Sequence, residues 1–198
     1  FLSLKPSLKI NLNGIKLGLM CLFFQWSFGQ ENQNQLVLKT ILETYYKNEK
    51  PVYKGRSQLL YLYCNQPSNN EELIEAVKDH KLPKEFLLEI QNKIKNDASE
   101  KSWSTELELI FNSDKTNLKS KVNNCLSLDK YQEISKRLNL NNQRLMIINK
   151  PIYYSKGNIA LVKIVFFRNI EHNSGSILLM EKINEIWTIK EYLNSWST

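Results

Sequence analysis

The last third of the sequence carries four segments typical of β-strands, and this pattern constrains the fold more than any other feature of the chain. Each segment is rich in Ile, Val, Phe, Tyr and Trp, and short polar stretches separate it from the next. The segments are 144–154, 159–168, 176–182 and 187–192. They predict an antiparallel meander. Pro151 predicts that the first strand lies at an edge or is broken there, because proline lacks a ladder donor.

Helical patterns precede these strands. Apolar residues recur at three- and four-residue steps, typical of amphipathic helices, over 35–47, 70–80, 83–94 and 128–138. Asn70 is a candidate N-cap with two glutamates in the first turn, and Pro83 fits the first residue of the next helix. We expect these two helices to form a helical hairpin.

The segments between the helices are harder to interpret. A continuous apolar run over 59–64 predicts a buried strand, with a helical turn as the alternative that periodicity leaves open. Leu107, Leu109 and Phe111 alternate as in a strand, which would place Glu106 and Glu108 on one strand face. Because helices come first and strands last, without βαβ alternation, the sequence predicts an α+β fold with N-terminal helices packed on one face of a C-terminal antiparallel meander sheet.

The N-terminal residues have the pattern of a signal peptide. Three lysines precede an apolar run over 17–28, and no acidic residue occurs before Glu31. The run has about a dozen residues, whereas a bilayer-spanning helix needs about 20. Small residues at Ser27 and Gly29 predict cleavage before Gln30. We therefore expect a signal peptide over 1–29, a single domain over 30–198 and a periplasmic or secreted protein. The alternative is that the run is a buried helix or strand of the mature fold.

Size and charge limit the function classes. Removing 29 of the 198 residues leaves 169, enough for one domain with a substantial core. The whole chain has 27 basic and 20 acidic residues, and removing the three leader lysines leaves 24 against 20, a charge of +4. This charge is spread along the chain, whereas a nucleic-acid footprint gathers Lys and Arg on one face. The sequence therefore predicts no nucleic-acid partner, and a membrane contact only through the transient signal peptide.

Cys64 and Cys125 are the cysteines that follow the predicted leader. In an oxidising compartment they are a candidate disulfide, which would contribute about 4 kcal/mol on the chain-entropy model. The alternative is two separate buried thiols. His80 and His172 are the histidines that could join them in a metal site, but no close ligand spacing occurs. With six glycines and no phosphate-binding loop, the sequence predicts neither a metal nor a cofactor.

The C-terminal residues resemble a known group of proteins. The pattern KPIYYSKGNIALVKIVFF, then SGS, then LLMEKINEIWTIKEYLNSWS resembles a recurring tail of small exported proteins of unknown function from Bacteroidetes-type bacteria, whose leaders are similar to the one ending in SFGQ. In that family Asn-Gly-Lys precedes the tryptophan, and Ile183-Asn184-Glu185-Ile186 replaces it before Trp187 in this chain. The helix-then-sheet order is also similar to the NTF2-like (cystatin-type) α+β fold. Neither resemblance implies an activity.

Two sets of residues are candidates for a functional site. His172 lies near Ser174 and Ser176, groups that a small hydrolase could use as base and nucleophile, but no G-x-S-x-G elbow accompanies them. The simpler interpretation is a polar surface loop. The aromatic residues Trp103, Tyr153 and Trp187 could line a ligand cleft, or fill the core, which the alternation around Trp187 favours.

These observations favour an exported, non-catalytic module that binds a small molecule or a protein. The rival hypothesis is a small hydrolase that uses His172 with a nearby serine, or a carboxylate pair. A third possibility is an inhibitor or immunity-type protein. The sequence itself names neither ligand nor partner.

Overall fold

The computed structural model describes residues 33–51, 59–96, 101–139 and 142–198. The predicted signal peptide and its cleavage point before Gln30 lie outside these residues. None of the described helices is both long enough and apolar enough to cross a lipid bilayer.

Helices and strands occur in the following order along the described residues. The helices are α1 (33–46), α2 (Glu72–Val77), α3 (Lys84–Asn96), α4 (Ser104–Ser113), α5 (Leu118–Val122) and α6 (Leu128–Leu138). The strands are β1 (Leu60–Tyr63), β2 (Asn65–Gln66), β3 (Lys101–Ser102), β4 (Cys125–Leu126), β5 (Arg144–Ile148), β6 (Ile152–Tyr153), β7 (Ile159–Phe167), β8 (Asn173–Ile183) and β9 (Ile186–Ser197).

The strands form one large mixed sheet in the order β4-β1-β5-β7-β8-β9, with β6 paired to β7 beside β5. β1 runs parallel to β4 and β5, whereas the pairs β5–β7, β7–β8 and β8–β9 are antiparallel. A separate pair joins β2 to β3. The predicted C-terminal meander and the α+β class are therefore confirmed. The parallel position of β1 was not predicted, because a parallel neighbour is joined through a long crossover, here the segment with α2 to α6.

Helices pack on both faces of the sheet, whereas the sequence predicted one. Ala160, Val162 and Ile164 of β7 face a core that includes α1, α4 and α5. Leu161 faces a second core with α2 and α3, and a third cluster joins α6 to Tyr61 and Leu145. The central strands are buried on both sides, as the six consecutive buried residues of β8 from Gly175 to Met180 show. A strand buried on both sides has a continuous apolar run and does not reveal how many layers cover it.

The predicted strand around Leu107 is wrong, because these residues form α4. Leu107 and Ile110 are buried one helical turn apart, and Leu109 is 46% exposed. The alternation in the sequence was misleading because Leu109 is apolar but exposed, whereas Leu107 and Ile110 are buried. Glu106 and Glu108 therefore share no strand face: Glu106 is buried and Glu108 is exposed.

Most other predicted elements are confirmed with small shifts. α1 and α6 match the predicted segments, and Ser127 caps α6 by accepting a hydrogen bond from the Lys130 amide at 3.3 Å. α2 and α3 contact each other as the predicted hairpin. Glu71 rather than Asn70 occupies the N-cap position of α2. Pro151 lies between β5 and β6, which confirms the prediction that the first strand is broken there.

The β8–β9 hairpin is longer than predicted at its open end. β8 begins at Asn173 instead of residue 176, and β9 continues to Ser197. Ser174 and Gly175 are weak strand formers, but they pair with Ser197 and Trp196 across the ladder. At the closed end, Asn184 and Glu185 both have positive φ angles of 49° and 63°, which a two-residue type I′ turn requires.

The predicted disulfide is present. Cys64 follows β1 directly, Cys125 begins β4, and their Cα atoms are 4.8 Å apart. The Cys64 amide donates to the Leu126 carbonyl at 3.0 Å, which extends the pairing of the two strands beside the bridge.

Candidate functional site

A small cleft lies at the end of the sheet where β5 and β8 begin and where β7 and β9 end. It has a volume of about 190 Å³ and is lined by Arg144, Phe166, Arg168, His172, Asn173, Ser174, Ser197 and Thr198. We call it the basic cleft, since both guanidinium groups and the imidazole lie in its wall.

The register of the sheet explains why these side chains meet. Phe166 is directly opposite Ser174, and Ser174 is directly opposite Ser197, so the three side chains point to one face. Arg168 lies two residues after Phe166 in the chain. The Arg168 amide donates to the His172 carbonyl at 3.2 Å. Because side chains alternate along a strand, Arg168 and His172 continue the same face beyond the last ladder pair.

The turn that carries His172 is held by hydrogen bonds. The side-chain Oδ1 of Asn169 accepts from the amides of Glu171 at 2.9 Å and His172 at 2.8 Å. On the other side of the sheet, the Tyr131 hydroxyl lies 3.0 Å from the Gln143 carbonyl and 3.2 Å from the Arg168 carbonyl, and its one proton can be donated to either. The hydrogen bonds of Asn169 hold the turn on the cleft side.

Arg144 is already engaged. Its Cζ lies 5.6 Å from the centroid of the Phe166 ring, and its guanidinium is 3.7 Å from a Glu49 carboxylate oxygen. Phe166 also packs against Tyr45, with ring centroids 5.1 Å apart. A cation over an aromatic face is attracted to the ring, so the Phe166 ring and the Glu49 carboxylate together hold the Arg144 guanidinium.

Four other polar side chains of the cleft have no partner among the described residues. The Arg168 guanidinium, the His172 imidazole and the hydroxyls of Ser174 and Ser197 make neither a hydrogen bond nor an ion pair there. In contrast, the Thr198 hydroxyl accepts from the Asn173 amide at 3.1 Å. The cleft thus presents several hydrogen-bond donors that the described part of the protein does not use.

The structure brings two of the three candidate catalytic residues together. His172 and Ser174 both line the basic cleft, whereas Ser176 is buried and only 7% exposed. His172 precedes Ser174 by two positions and Ser176 by four. In an extended strand, these separations are about 7 Å and about 13 Å. No hydrogen bond joins His172 to either serine in the described residues. A serine nucleophile needs a base within hydrogen-bond reach.

The aromatic candidates pack in or against the core that includes α1, α4 and α5. Trp103 is fully buried and its Nε1 donates to the Ile148 carbonyl at 3.1 Å. Tyr153 and Trp187 contact each other at 5.8 Å, and the Tyr153 hydroxyl donates to Asn34 at 2.8 Å. Burial, and then the Glu106 carboxylate, raise the pKa of Tyr153 well above 10. None of the three lines the basic cleft.

Other cavities offer less for recognition. A space of about 310 Å³ between α1 and α5 contains Lys121, whose ammonium group donates to the carbonyls of Tyr46 and Lys47 at 3.1 and 2.8 Å. An apolar space of about 200 Å³ lies between α2 and α3 beside Ile74 and Leu87. The described residues contain no group of three or more His, Cys, Asp or Glu side chains placed to hold a metal ion.

No protein family, no curated protein and no solved structure matches the chain in the comparisons with known proteins. The site therefore has to be interpreted from its own chemistry. Sequence reasoning found His172 and Ser174 but missed Arg144, Arg168 and Ser197. These residues are far apart in the chain, and only the strand register brings them together.

Proposed function

We propose that this protein is an exported, non-catalytic binding protein that holds a small ligand in the basic cleft. The observation that carries the proposal is the set of unpartnered donors on Arg168, His172, Ser174 and Ser197 at one cleft. In the cavity between α1 and α5, by contrast, the Lys121 ammonium group is engaged by the carbonyls of Tyr46 and Lys47. Polar groups that converge on a concave site without internal partners are typical of ligand recognition.

The compartment is supported by two independent features. The sequence predicts a leader over 1–29 with cleavage before Gln30, and a disulfide joins Cys64 to Cys125. Disulfides form and persist in oxidising compartments, so the bridge is compatible with a periplasmic or secreted protein.

A binding role fits the geometry better than hydrolysis by His172. An acyl-transfer site needs a nucleophile hydrogen-bonded to its base and a third group that orients the base. His172 has no such bond to Ser174, and no carboxylate is bonded to its ring. A carboxylate pair is not favoured at Glu106 and Glu108, because one is buried and the other is exposed on α4.

The proposal is tested with ¹⁵N-labelled mature protein titrated with four separate sets of compounds: organic acids and phosphate esters, sugars, amino acids, and neutral aromatic compounds. We expect at least one set to shift the amides of residues 168–174 and of Ser197 in a saturable manner. In parallel, p-nitrophenyl acetate, p-nitrophenyl phosphate and p-nitrophenyl glucoside should be cleaved no faster than in buffer.

Two outcomes contradict this proposal. One is the absence of saturable shifts at the cleft with every set. The other is a turnover that the His172→Ala variant loses while its circular dichroism spectrum stays that of the parent, since this would establish the hydrolase.

A further inference from the structure

We infer that the basic cleft recognises a tetrahedral oxyanion, namely the phosphate or sulfate group of a monoester. This inference rests on the proposed function, because it names the chemical class of ligand for the same cleft. It follows from the number, placement and charge of the donors and from the size of the cleft.

The donors come from two parts of the cleft wall. Ser174 and Ser197 are cross-strand neighbours on the sheet surface, whereas Arg168 and His172 lie in the connection between β7 and β8. A planar carboxylate has two oxygens in one plane, whereas a phosphate or sulfate monoester has three non-bridging oxygens directed around a tetrahedron. A tetrahedral group can therefore accept from the guanidinium and from both hydroxyls at once, with the bidentate geometry that arginine favours.

The side chains that line the cleft include two arginines and no carboxylate. Arg144 is partly neutralised by Glu49, but Arg168 has no carboxylate within ion-pair distance in the described residues. Glu171 is an exposed acidic residue of the adjoining turn. The Asn173 Oδ1 atom, an acceptor that would repel an anion, is buried from solvent. The lining side chains that have no partner in the described residues can therefore each donate a hydrogen bond.

The size of the cleft limits how much of the ligand it covers. Its volume of about 190 Å³ is below the range of roughly 300–1,000 Å³ for sites that enclose a whole drug-sized ligand. The cleft thus fits the anionic head of a monoester, and the rest of the ligand lies outside it.

The test is isothermal titration calorimetry at low ionic strength with phenyl phosphate, phenyl sulfate and benzoate. Because the phenyl group is common to all three, the comparison isolates the anionic head. We expect dissociation constants on the order of 1 mM or tighter for the two tetrahedral anions and binding at least about tenfold weaker for benzoate. Raising the salt concentration should weaken binding, because exposed charges are screened.

Variants locate the binding. Arg168→Gln should weaken phenyl phosphate binding about tenfold or more, since charge-assisted hydrogen bonds are the strong ones. The double variant Ser174→Ala with Ser197→Ala should weaken phenyl phosphate more than benzoate. Arg137→Gln is the matched control, because Arg137 is an exposed arginine on α6 and does not line the cleft. Circular dichroism establishes that each variant is folded.

Two further probes distinguish a soluble monoester from a free phosphate ion and from a lipid headgroup. Inorganic phosphate tests a free anion, and vesicles of phosphatidylcholine with and without phosphatidic acid test a lipid headgroup. Phenyl phosphate that binds better than inorganic phosphate, without selective vesicle binding, indicates a soluble monoester.

The inference is overturned if benzoate binds as tightly as phenyl phosphate, or if Arg168→Gln binds like Arg137→Gln. Saturable binding of a neutral compound at the cleft without oxyanion binding would overturn the inference and leave the proposed function intact. Release of phenol from phenyl phosphate, lost in His172→Ala, would overturn the non-catalytic function and leave oxyanion recognition intact.

Discussion

Trp196 lies directly against Gly175 across the β8–β9 ladder, and a Cβ at Gly175 would come within 2.9 Å of the indole Cζ2. The same Cβ would lie 2.8 Å from the backbone carbonyl oxygen of Ile164. An aromatic ring that covers a strand glycine is a known way of fixing strand register. In this protein the contact anchors the end of β9, and with it Ser197 of the basic cleft.

Gly175→Ala is therefore expected to destabilise the protein by about 1–3 kcal/mol, because the carbonyl of Ile164 cannot move away without disturbing β7. Urea unfolding measures the change in the free energy of unfolding. Gly157→Ala is the comparison: the three atoms nearest to the added methyl group all belong to the Tyr154 side chain and none to the backbone, so a smaller loss is expected. Equal losses in the two variants would contradict this account of Gly175.

Glu185→Gly should stabilise the protein. Glu185 has a φ angle of 63° in the β8–β9 turn, a conformation that costs an L-residue about 1–2 kcal/mol and glycine nothing in steric terms. The greater flexibility of glycine in the unfolded chain offsets part of this gain, so we expect about 0.5–1 kcal/mol. The lost ion pair with Lys182 matters little, because the Glu185 side chain is 86% exposed.

Thermal unfolding checks this prediction as a rise of a few degrees in Tm. The Glu185→Ala variant loses the carboxylate but keeps the strained turn, so its Tm should stay at or below that of the parent. A gain in Glu185→Ala as large as in Glu185→Gly would show that the carboxylate, and not the backbone conformation, limits stability.

Reduction of the disulfide should lower the free energy of unfolding by about 4 kcal/mol, as expected when a cross-link closes a long loop. Cys64 and Cys125 are 61 residues apart in the chain. Urea unfolding of the Cys64→Ala, Cys125→Ala double variant measures the loss, and adding dithiothreitol should affect the parent but leave the double variant unchanged. A parent that is equally stable with and without reductant would contradict a structural role for the bridge.

The Asp114 carboxylate, which binds the start of α5, should make the free energy of unfolding fall as the pH is lowered into the acid range. Burial raises the pKa of Asp114, but hydrogen bonds from the Thr116 side chain and from the amides of Thr116 and Leu118 outweigh it and hold the pKa below 3.8. A carboxyl whose pKa is lower in the folded state stabilises the fold above its unfolded pKa. This contribution is lost as the pH falls through the folded value.

The comparison of Asp114→Ala with the parent tests this sign. We expect the variant to be less stable by about 1 kcal/mol near pH 7, as for loss of a capping side chain, and the difference to shrink below pH 3.8. Asp79→Ala serves as the control, because Asp79 is exposed. A difference for Asp114→Ala that stays constant down to pH 2 would contradict the role of the carboxylate charge.

Local signals explain which parts of the fold could be predicted. α6 matches its predicted range because Ser127 supplies the cap and the apolar stripe repeats within the helix itself. α4 was missed because its position depends on distant contacts, above all the burial of Trp103 against the Ile148 carbonyl. β8 was predicted too short because Ser174 and Gly175 take part in the sheet only through pairing with the end of β9.

The set of residues in the basic cleft depends even more than the helices and strands do on contacts between distant segments of the chain. His172 and Ser174 are close in sequence and could be singled out together, whereas Arg144 and Ser197 carry no local pattern that marks them. They reach the cleft because β5 and β9 flank β7 and β8 in the sheet. Without the strand order, an arginine at a strand start and a serine near a strand end are indistinguishable from ordinary surface residues.

The most direct test of the central claim is the side-chain Nε–Hε resonance of Arg168, followed by ¹⁵N–¹H NMR during a titration with phenyl phosphate. The Arg168→Gln variant assigns the resonance, and Arg137 provides an internal reference outside the cleft. We predict a saturable shift of the Arg168 resonance at ligand concentrations that leave Arg137 unchanged. A titration in which Arg168 and Arg137 respond equally, or in which neither responds, would contradict the assignment of the basic cleft as the ligand site.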